Sequence, residues 1–166
     1  MTALVVRSAE EADLPALNDL YNHYVEATPA TFDVRSSTLE ERRLWFRRFS
    51  RSGRHQLWVA LRDGDFVGYA CSHSFRAKDA YETSVETTVY LAPGRGHEGI
   101  GSALYSALFA GLESEDVHRA YAGITIPNEA SEALHRRFGF RPIGTFEEVG
   151  RKHGRYWSVR WWQKPL

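Results

Sequence analysis

The sequence predicts an α/β fold in which one mixed, mostly antiparallel sheet of six to seven strands carries helices on both faces. Three observations predict it. The first half of the chain holds a strand, two helical runs and then three successive strands; the second half alternates helix, strand and helix; and two strands close the chain. The alternating part needs a crossover connection between parallel strands. With 166 residues, 43% hydrophobic and 25% charged, we expect one domain over residues 1–166.

Four strand-like runs and two helical runs make up the first half. The strands are predicted over residues 4–6, 57–61, 66–70 and 84–91. Asp63-Gly64-Asp65, between the second and third of them, is a strong hairpin signal. Apolar residues at helical spacing predict a helix over residues 10–27, and a second helix begins at Thr38, which has Glu41 at capping-box spacing. We therefore expect the sheet to begin with antiparallel strands.

The second half alternates helices and strands. The strands are predicted over residues 120–126, 143–149 and 156–162. One helix ends near Leu112, and another spans residues 128–138 and is closed by Gly139. In the last strand, alternation places Trp162 on the polar side, which suggests a contact between subunits, with core packing as the alternative.

Residues 87–105 indicate a strand, a glycine-rich loop and the start of a helix. Glycines at 94, 96, 99 and 101 leave main-chain N–H groups free to point at one anion, which the positive end of the helix dipole also faces. This arrangement predicts a pyrophosphate-binding loop. The helix opens Gly101-Ser102-Ala103 without the lysine of a Walker loop, so a Walker-type phosphate site is excluded. A dinucleotide-binding fingerprint would follow the first strand, whereas this loop comes after several strand-like runs. A loop that only connects a strand to a helix is the alternative.

Charge and cysteine content exclude several classes of function. Lys and Arg total 21, as do Asp and Glu, so no net positive charge attracts nucleic acid or anionic lipid. We expect neither as a partner, and the arginines between residues 42 and 54 are expected to form a solvated helix face. Cys71 is the single cysteine of the sequence and is expected to be buried. No apolar run approaches the roughly 20 residues of a membrane span. The expectation is a soluble cytoplasmic protein without a metal.

The element order, the glycine-rich loop and the run Asn128-Glu129-Ala130-Ser131-Glu132-Ala133-Leu134-His135-Arg136-Arg137-Phe138-Gly139-Phe140 resemble the GCN5-related N-acetyltransferases, or GNAT family. Residues 75–90, residues 149–154 and Trp161-Trp162-Gln163 resemble its phosphinothricin and methionine sulfone or sulfoximine acetyltransferase branch. The resemblance covers about residues 6–162. It implies acetyl-CoA as cosubstrate, a small amino acid analogue as acceptor, and a homodimer.

The resemblance also implies which residues contact acetyl-CoA. Main-chain groups of Val89, Tyr90 and Leu91 would pair with the pantetheine arm as if it were an added strand. The loop residues that would hold the diphosphate are His97, Glu98, Gly99, Ile100, Gly101 and Ser102. Asn128 and Ser131 match family positions that contact the cofactor farther along the chain.

The loop departs from the family pattern at two positions. The family usually has Arg or Gln where this chain has Gly96, with Arg95 one place early, and Glu98 replaces a residue that is often basic. A carboxylate near a diphosphate is repelled by about 1 kcal/mol or more unless it points away. We therefore expect weaker coenzyme binding than is typical, or a rerouted Arg95.

Two residues are candidates for proton transfer. Glu86 corresponds to the residue taken as general base in the branch; because an ordinary glutamate pKa of about 4.3 poorly matches an ammonium, burial or a relaying water would have to help. A structural salt bridge is the alternative for Glu86. His135 lies where many other acetyltransferases have a tyrosine, and it could act as an acid or orient Glu86, with packing on its helix as the alternative.

Five further residues are candidates for acceptor binding. Arg76, Lys78 and Tyr81 match family substrate-binding positions, and two cations with a phenol could hold a carboxylate and a phosphinate or sulfonyl oxygen. Thr31 and Phe32 are expected to form the opposite wall.

The sequence thus predicts an acetyl-CoA-dependent N-acetyltransferase that acts on the α-amino group of a small amino acid analogue such as phosphinothricin, methionine sulfoximine or methionine sulfone. Transfer would be direct, in a ternary complex. Two alternatives stay open: a GNAT enzyme that acetylates a protein N-terminus or a polyamine, and a non-catalytic coenzyme A-binding module.

Overall fold

The computed structural model describes residues 3–166, which form seven strands and four α-helices. The strands are β1 (Leu4–Ser8), β2 (Leu57–Arg62), β3 (Asp65–Ser74), β4 (Ser84–Leu91), β5 (Arg119–Ile126), β6 (Arg141–Lys152) and β7 (Arg155–Pro165). The helices are α1 (Leu14–Ala27), α2 (Leu39–Phe46), α3 (Ile100–Leu112) and α4 (Glu129–Arg137). The strand order is β1-β2-β3-β4-β5-β7-β6, and β4 and β5 are parallel while the other neighbours are antiparallel. The predicted mixed sheet is confirmed.

Local sequence signals account for several element boundaries. The Thr38 hydroxyl accepts a hydrogen bond from the Glu41 N–H at 3.2 Å, and the Glu41 carboxylate accepts one from the Thr38 N–H at 2.8 Å, so the predicted capping box begins α2. Asp63 and Gly64 have φ values of 54° and 90°, as a two-residue hairpin turn between β2 and β3 requires. Gly139, with φ of 83°, follows α4 as predicted.

Helices cover both faces of the sheet. On one face, α1 and α2 pack over Val59, Tyr69 and Cys71, and Cys71 is buried as expected. On the other face, α3 contributes Leu104 and Leu108 to a core shared with β4, β5 and β7. The sheet therefore has a separate hydrophobic core on each face. No helix within residues 3–166 is both long and apolar enough to cross a membrane.

The structure corrects two predictions for the final strands. Trp162 is fully buried in the α3-side core and is not a subunit contact. The reason is that β7 lies between β5 and β6, so the face that looked polar is also covered. β6 and β7 also extend beyond their predicted ends. β6 is exposed along most of its length, so it lacks the alternation of apolar residues that marks a half-buried strand.

The sheet opens between β4 and β5. The parallel ladder recorded in residues 3–166 pairs Ser84 with Arg119, Val85 with Ala120 and Glu86 with Tyr121, and it ends there. Beyond this point β4 stays paired with β3 up to Leu91, while β5 stays paired with β7. The two strands therefore separate after Glu86, and the inner edge of β4 over residues 87–91 faces a gap in the middle of the sheet.

Candidate active site

Two cavities meet at this gap. The first, which we call the loop cavity, has a volume of about 580 Å³ and is bounded by the glycine-rich loop, α3 and α4. The second, which we call the α2 cavity, has a volume of about 760 Å³ and is bounded by α1, α2 and β4. The residues that line both are Ala30, Thr88, Tyr90, Gly123 and Thr125. A ligand in one cavity can therefore reach a ligand in the other through the sheet.

The glycine-rich loop presents bare main chain to the loop cavity. A Cβ atom added to Gly94, Gly96 or Gly99 would meet no atom within 4 Å, and Gly99 has a φ of 77° immediately before α3. The Ala103 N–H bonds back to the Gly99 carbonyl at 3.0 Å. The N–H groups of residues 100–102 precede this first helical bond, so they remain available to an anion at the positive end of the helix dipole.

Glu98 is the predicted loop residue that does not line the loop cavity. Its carboxylate forms an ion pair with Arg62 of β2, and Arg62 Nη2 also donates to the Glu98 carbonyl at 3.4 Å. Arg95 Nη1 lies 3.6 Å from the same carboxylate. The acid therefore points away from the loop interior, and Arg95 is directed toward Glu98.

The other residues predicted to contact the cofactor line the loop cavity. These are Val89, Tyr90, Leu91, His97, Gly99, Ile100, Gly101, Ser102, Asn128 and Ser131. The Leu91 carbonyl accepts a hydrogen bond from the Tyr24 hydroxyl at 2.7 Å, and Asn128 Oδ1 accepts one from the Ser131 N–H at 3.2 Å, which caps α4. Arg137, which was not predicted from the sequence as a cofactor contact, also lines this cavity and donates to Ser102 Oγ at 3.1 Å.

His135 is buried in the wall of the loop cavity, and both of its ring nitrogens have partners. Nδ1 donates to the Ser131 carbonyl at 2.7 Å, so Nε2 is the acceptor for the Tyr105 hydroxyl at 2.9 Å. Burial lowers the pKa of His135, which keeps the ring neutral. Within residues 3–166 its hydrogen-bond partners are Tyr105 and Ser131, and it lines the loop cavity, whereas Glu86 lines the α2 cavity.

Glu86 lines the α2 cavity at the point where β4 and β5 separate. Burial raises the pKa of its carboxyl group to about 7, against an opposing effect of the Arg76 charge. Within residues 3–166, the ion pairs of the structure do not include Glu86. His73, its cross-strand neighbour on β3, lines the same cavity and was missed by the sequence analysis, although the hairpin register places it there. A carboxyl group of this kind can exchange a proton near neutral pH.

Thr31 and Phe32, the two residues predicted to form the opposite wall of the acceptor site, line the α2 cavity. Both contact the β6–β7 hairpin. Lys152 Nζ donates to the Thr31 carbonyl at 2.7 Å, and the Thr31 hydroxyl lies 2.9 Å from that of Tyr21. The Phe32 ring packs directly on Gly150, where an added Cβ would lie 2.2 Å from the ring. Gly150 is therefore required for this close approach.

The structure does not bring Arg76, Lys78 or Tyr81 into the lining of either cavity. All three are exposed. Their segment is anchored by Phe75, which stacks on Tyr121 of β5 with ring centroids 4.4 Å apart. Of the three, Arg76 influences the α2 cavity through its charge, which acts on Glu86.

Arg42 corrects a further prediction. It is 5% exposed and lines the α2 cavity, whereas the sequence predicted it on a solvated helix face with the neighbouring arginines. Tyr21, Asp33 and Trp45 line the same cavity and were also missed. Arg42 lies three residues after Leu39 and three before Trp45, so helical spacing places it on the inward face of α2, whereas its charge led to the prediction of a solvated position.

Comparisons with known proteins define the class of this site. Residues 6–161 match the family model described as an acetyltransferase (GNAT) domain. The chain belongs to the GNAT family of acetyltransferases.

Three relatives are similar to this chain over most of their length, and two of them are named phosphinothricin acetyltransferases. It is 58% identical over 163 residues, 97% of this chain and 95% of the other, to a protein from Streptomyces coelicolor named phosphinothricin N-acetyltransferase. Among solved structures, a GNAT superfamily phosphinothricin acetyltransferase from Sinorhizobium meliloti in complex with acetyl-CoA has a TM-score of 0.92 at 33% identity, over 98% of this chain and 88% of that one. A ribosomal-protein-alanine N-acetyltransferase from Brucella melitensis has a TM-score of 0.91 at 38% identity, over 98% and 99%.

Proposed function

We propose that this enzyme transfers the acetyl group of acetyl-CoA to the α-amino group of a small amino acid analogue such as phosphinothricin, methionine sulfoximine or methionine sulfone. The observation that carries the proposal is the meeting of the two cavities beside Glu86. The names of two relatives support phosphinothricin. The motif resemblance of residues 75–90 and 149–154 supports the two methionine derivatives.

The loop cavity suits acetyl-CoA in shape and chemistry. The diphosphate would accept hydrogen bonds from the N–H groups of residues 100–102, beside the positive charge of Arg137. The pantetheine amides would pair with the inner edge of β4 at residues 89–91, which has no strand beside it there. The thioester would then lie at the gap, between Thr88 and Gly123.

Glu86 acts as the general base in this proposal. The acceptor binds in the α2 cavity with its amine toward the gap, and the Glu86 carboxylate takes a proton from the ammonium, directly or through one water. The neutral nitrogen attacks the thioester carbon, the C–N bond forms and the C–S bond breaks. The second proton lost by the nitrogen passes, directly or through water, to the leaving thiolate, and Glu86 releases the first proton to solvent. Because transfer occurs across the gap, no covalent enzyme intermediate is needed.

His135 is a positioning residue in this proposal. Its acceptor nitrogen fixes the Tyr105 hydroxyl, which lies in the wall of the loop cavity. A neutral imidazole with both nitrogens engaged has no proton to give to a leaving thiolate. This assigns to His135 a role in shaping the loop cavity instead of the acid or Glu86-orienting role.

The function is tested by release of free thiol from acetyl-CoA with a panel of acceptors. The proposal expects saturable turnover with phosphinothricin, methionine sulfoximine or methionine sulfone. The alternative acceptors are represented by spermidine and by a peptide that begins with alanine. The name of the Brucella relative favours the peptide among these two. Turnover with these two alone would refute the proposed acceptor class, while acetyl-CoA binding without turnover of any acceptor would indicate the non-catalytic module.

The ion pair between Arg62 and Glu98 gives a first prediction. Arg62→Gln should raise the KM for acetyl-CoA about fivefold at low salt, because a Glu98 carboxylate held by the more distant Arg95 alone can turn toward the loop and repel the diphosphate by about 1 kcal/mol. The effect should shrink as salt screens it. The double variant Arg62→Gln/Glu98→Gln should return the KM to within about twofold of the original. A double variant as impaired as Arg62→Gln would show that the pair does not act through the Glu98 charge.

We also propose that the enzyme is a homodimer that associates through β6 and β7. β6 is an edge strand, and the hairpin exposes the large apolar side chains Ile143, Phe146, Val149 and Tyr156.

The second prediction concerns the mass of the protein in solution. Light scattering should give twice the mass of the chain, and Phe146→Asp should give the monomer mass, because a charge at the centre of an apolar interface is not paired. A monomeric parent protein at micromolar concentration would contradict the dimer.

A further inference from the structure

Arg42 presents a buried guanidinium group to the α2 cavity. The residue is 5% exposed, and its guanidinium carbon lies 4.4 Å from the ring centroid of Tyr21 and 4.6 Å from that of Trp45. Nε donates to Asn18 Oδ1 at 3.1 Å, and Nη2 donates to Ser37 Oγ at 3.0 Å. Two aromatic rings and two neutral hydrogen-bond acceptors therefore fix the orientation of the group.

The charge of Arg42 is not balanced by a carboxylate. Within residues 3–166, the ion pairs of the structure do not include this arginine, although buried arginines are ordinarily paired. Nη1 makes none of the described hydrogen bonds, and it is not among the fully buried polar atoms that lack a partner. Nη1 is therefore not fully enclosed, and because Arg42 lines the α2 cavity, its two N–H groups can donate to an oxygen bound there.

The acidic residues of the cavity wall are engaged or distant. Asp33 accepts a hydrogen bond from the Tyr21 hydroxyl at 2.5 Å, and Glu41 pairs with Arg35 at 2.8 Å. Glu86 is the remaining acid of the wall. The cavity thus has a proton acceptor at one end and a fixed cation at another.

The sheet register separates these two groups. The Tyr21 ring beneath Arg42 packs on Tyr90, with centroids 5.7 Å apart. Tyr90 is four residues beyond Glu86 on β4, which corresponds to about 13 Å along the strand. An oxygen bound by Arg42 therefore belongs to a part of the acceptor remote from the amine that reaches Glu86.

We infer that Arg42 binds the terminal oxygen group of the acceptor side chain, the phosphinate of phosphinothricin or the sulfonyl or sulfoximine oxygen of the methionine derivatives. The inference rests on the proposed function and assigns to Arg42 the selection of acceptors with a distal oxygen acid or oxide. A charged phosphinate gains the strongest hydrogen bonds, a neutral sulfone weaker ones, and an alkyl side chain none. The fixed guanidinium loses little entropy on binding, which favours discrimination.

The test compares phosphinothricin, methionine sulfone and norleucine as acceptors for the parent enzyme, Arg42→Gln and Arg42→Lys. Arg42→Gln should lower kcat/KM about 10- to 100-fold for phosphinothricin, less for methionine sulfone and about twofold or less for norleucine. Arg42→Lys should give an intermediate, equally selective loss because it keeps the charge. The KM for acetyl-CoA should be unchanged. Arg43→Gln, an exposed arginine outside both cavities on the same helix, is the matched control.

Equal losses for phosphinothricin and norleucine in both Arg42 variants would overturn the inference and leave the proposed function standing, since a merely structural role affects all acceptors alike. A parent enzyme that does not distinguish methionine sulfone from methionine would also overturn it, and this comparison needs no variant to fold. Failure of the parent enzyme with every amino acid acceptor would refute the proposed function, and the inference with it.

Discussion

Glu86→Gln is expected to lower kcat by about 100- to 10,000-fold, the range over which a positioned general base contributes. The substitution removes the proton acceptor and preserves the shape of the side chain beside the gap between β4 and β5. Acceptor binding and acetyl-CoA binding should change little, so the KM values stay within a few-fold of the parent. Glu82→Gln is the matched control, since Glu82 is exposed and outside both cavities.

The pH dependence of kcat tests the same role of Glu86 as general base. Burial raises the pKa of Glu86 to about 7, and a base acts in its deprotonated form. The kcat of the parent enzyme should therefore fall as the pH drops below about 7 and level off above it, whereas Glu86→Gln should lack this limb. A variant that keeps both the limb and most of the activity would show that another group accepts the proton.

Ser102→Asp is expected to raise the KM for acetyl-CoA about 100-fold or more while leaving the fold intact. Ser102 lines the loop cavity in the first turn of α3. A carboxylate about 4 Å from a phosphate charge costs about 4 kcal/mol at an effective dielectric constant near 20, and Arg137 would offset part of it. The same carboxylate stabilises a helix N-terminus by about 0.3–1 kcal/mol, so the melting temperature should hold or rise.

The control for this prediction is Ser102→Asn, which removes the hydroxyl group without adding a charge. It should raise the KM for acetyl-CoA by no more than about fivefold, the cost of a neutral hydrogen bond. Calorimetric titration with coenzyme A gives the binding constants without turnover. A folded Ser102→Asp protein with unchanged affinity would place the diphosphate elsewhere.

The parts of the fold that the sequence predicted correctly are those that local chemistry determines. The capping box at Thr38 and the turn at Asp63-Gly64 involve residues at most three apart, and the structure has both. The antiparallel pairing of β2 with β3 followed from the hairpin turn, and the parallel pairing of β4 with β5 from the crossover connection through α3. The ends of β6 were missed because an exposed edge strand carries no apolar alternation.

The parts of the site that the sequence did not predict depend on contacts between distant segments. Arg42 is buried because α1 supplies Tyr21 and Asn18 around it, and the sequence of α2 does not identify these partners. Glu98 points away from the loop because Arg62 of β2, 36 residues earlier, attracts it. Lys78 and Tyr81 lie outside the cavities because Phe75 anchors their segment on β5. Each of these outcomes requires the register of the whole sheet.

The central claim is that the separation of β4 from β5 brings a bound acetyl group and an acceptor amine together beside Glu86. A crystal structure of Glu86→Gln with acetyl-CoA and phosphinothricin tests it most directly. We expect the acetyl group at the gap between Thr88 and Gly123, with the acceptor nitrogen within about 3.5 Å of its carbonyl carbon. The side chain of residue 86 should lie within one water of that nitrogen. An acetyl group outside the gap, or an amine turned away from residue 86, would contradict the account.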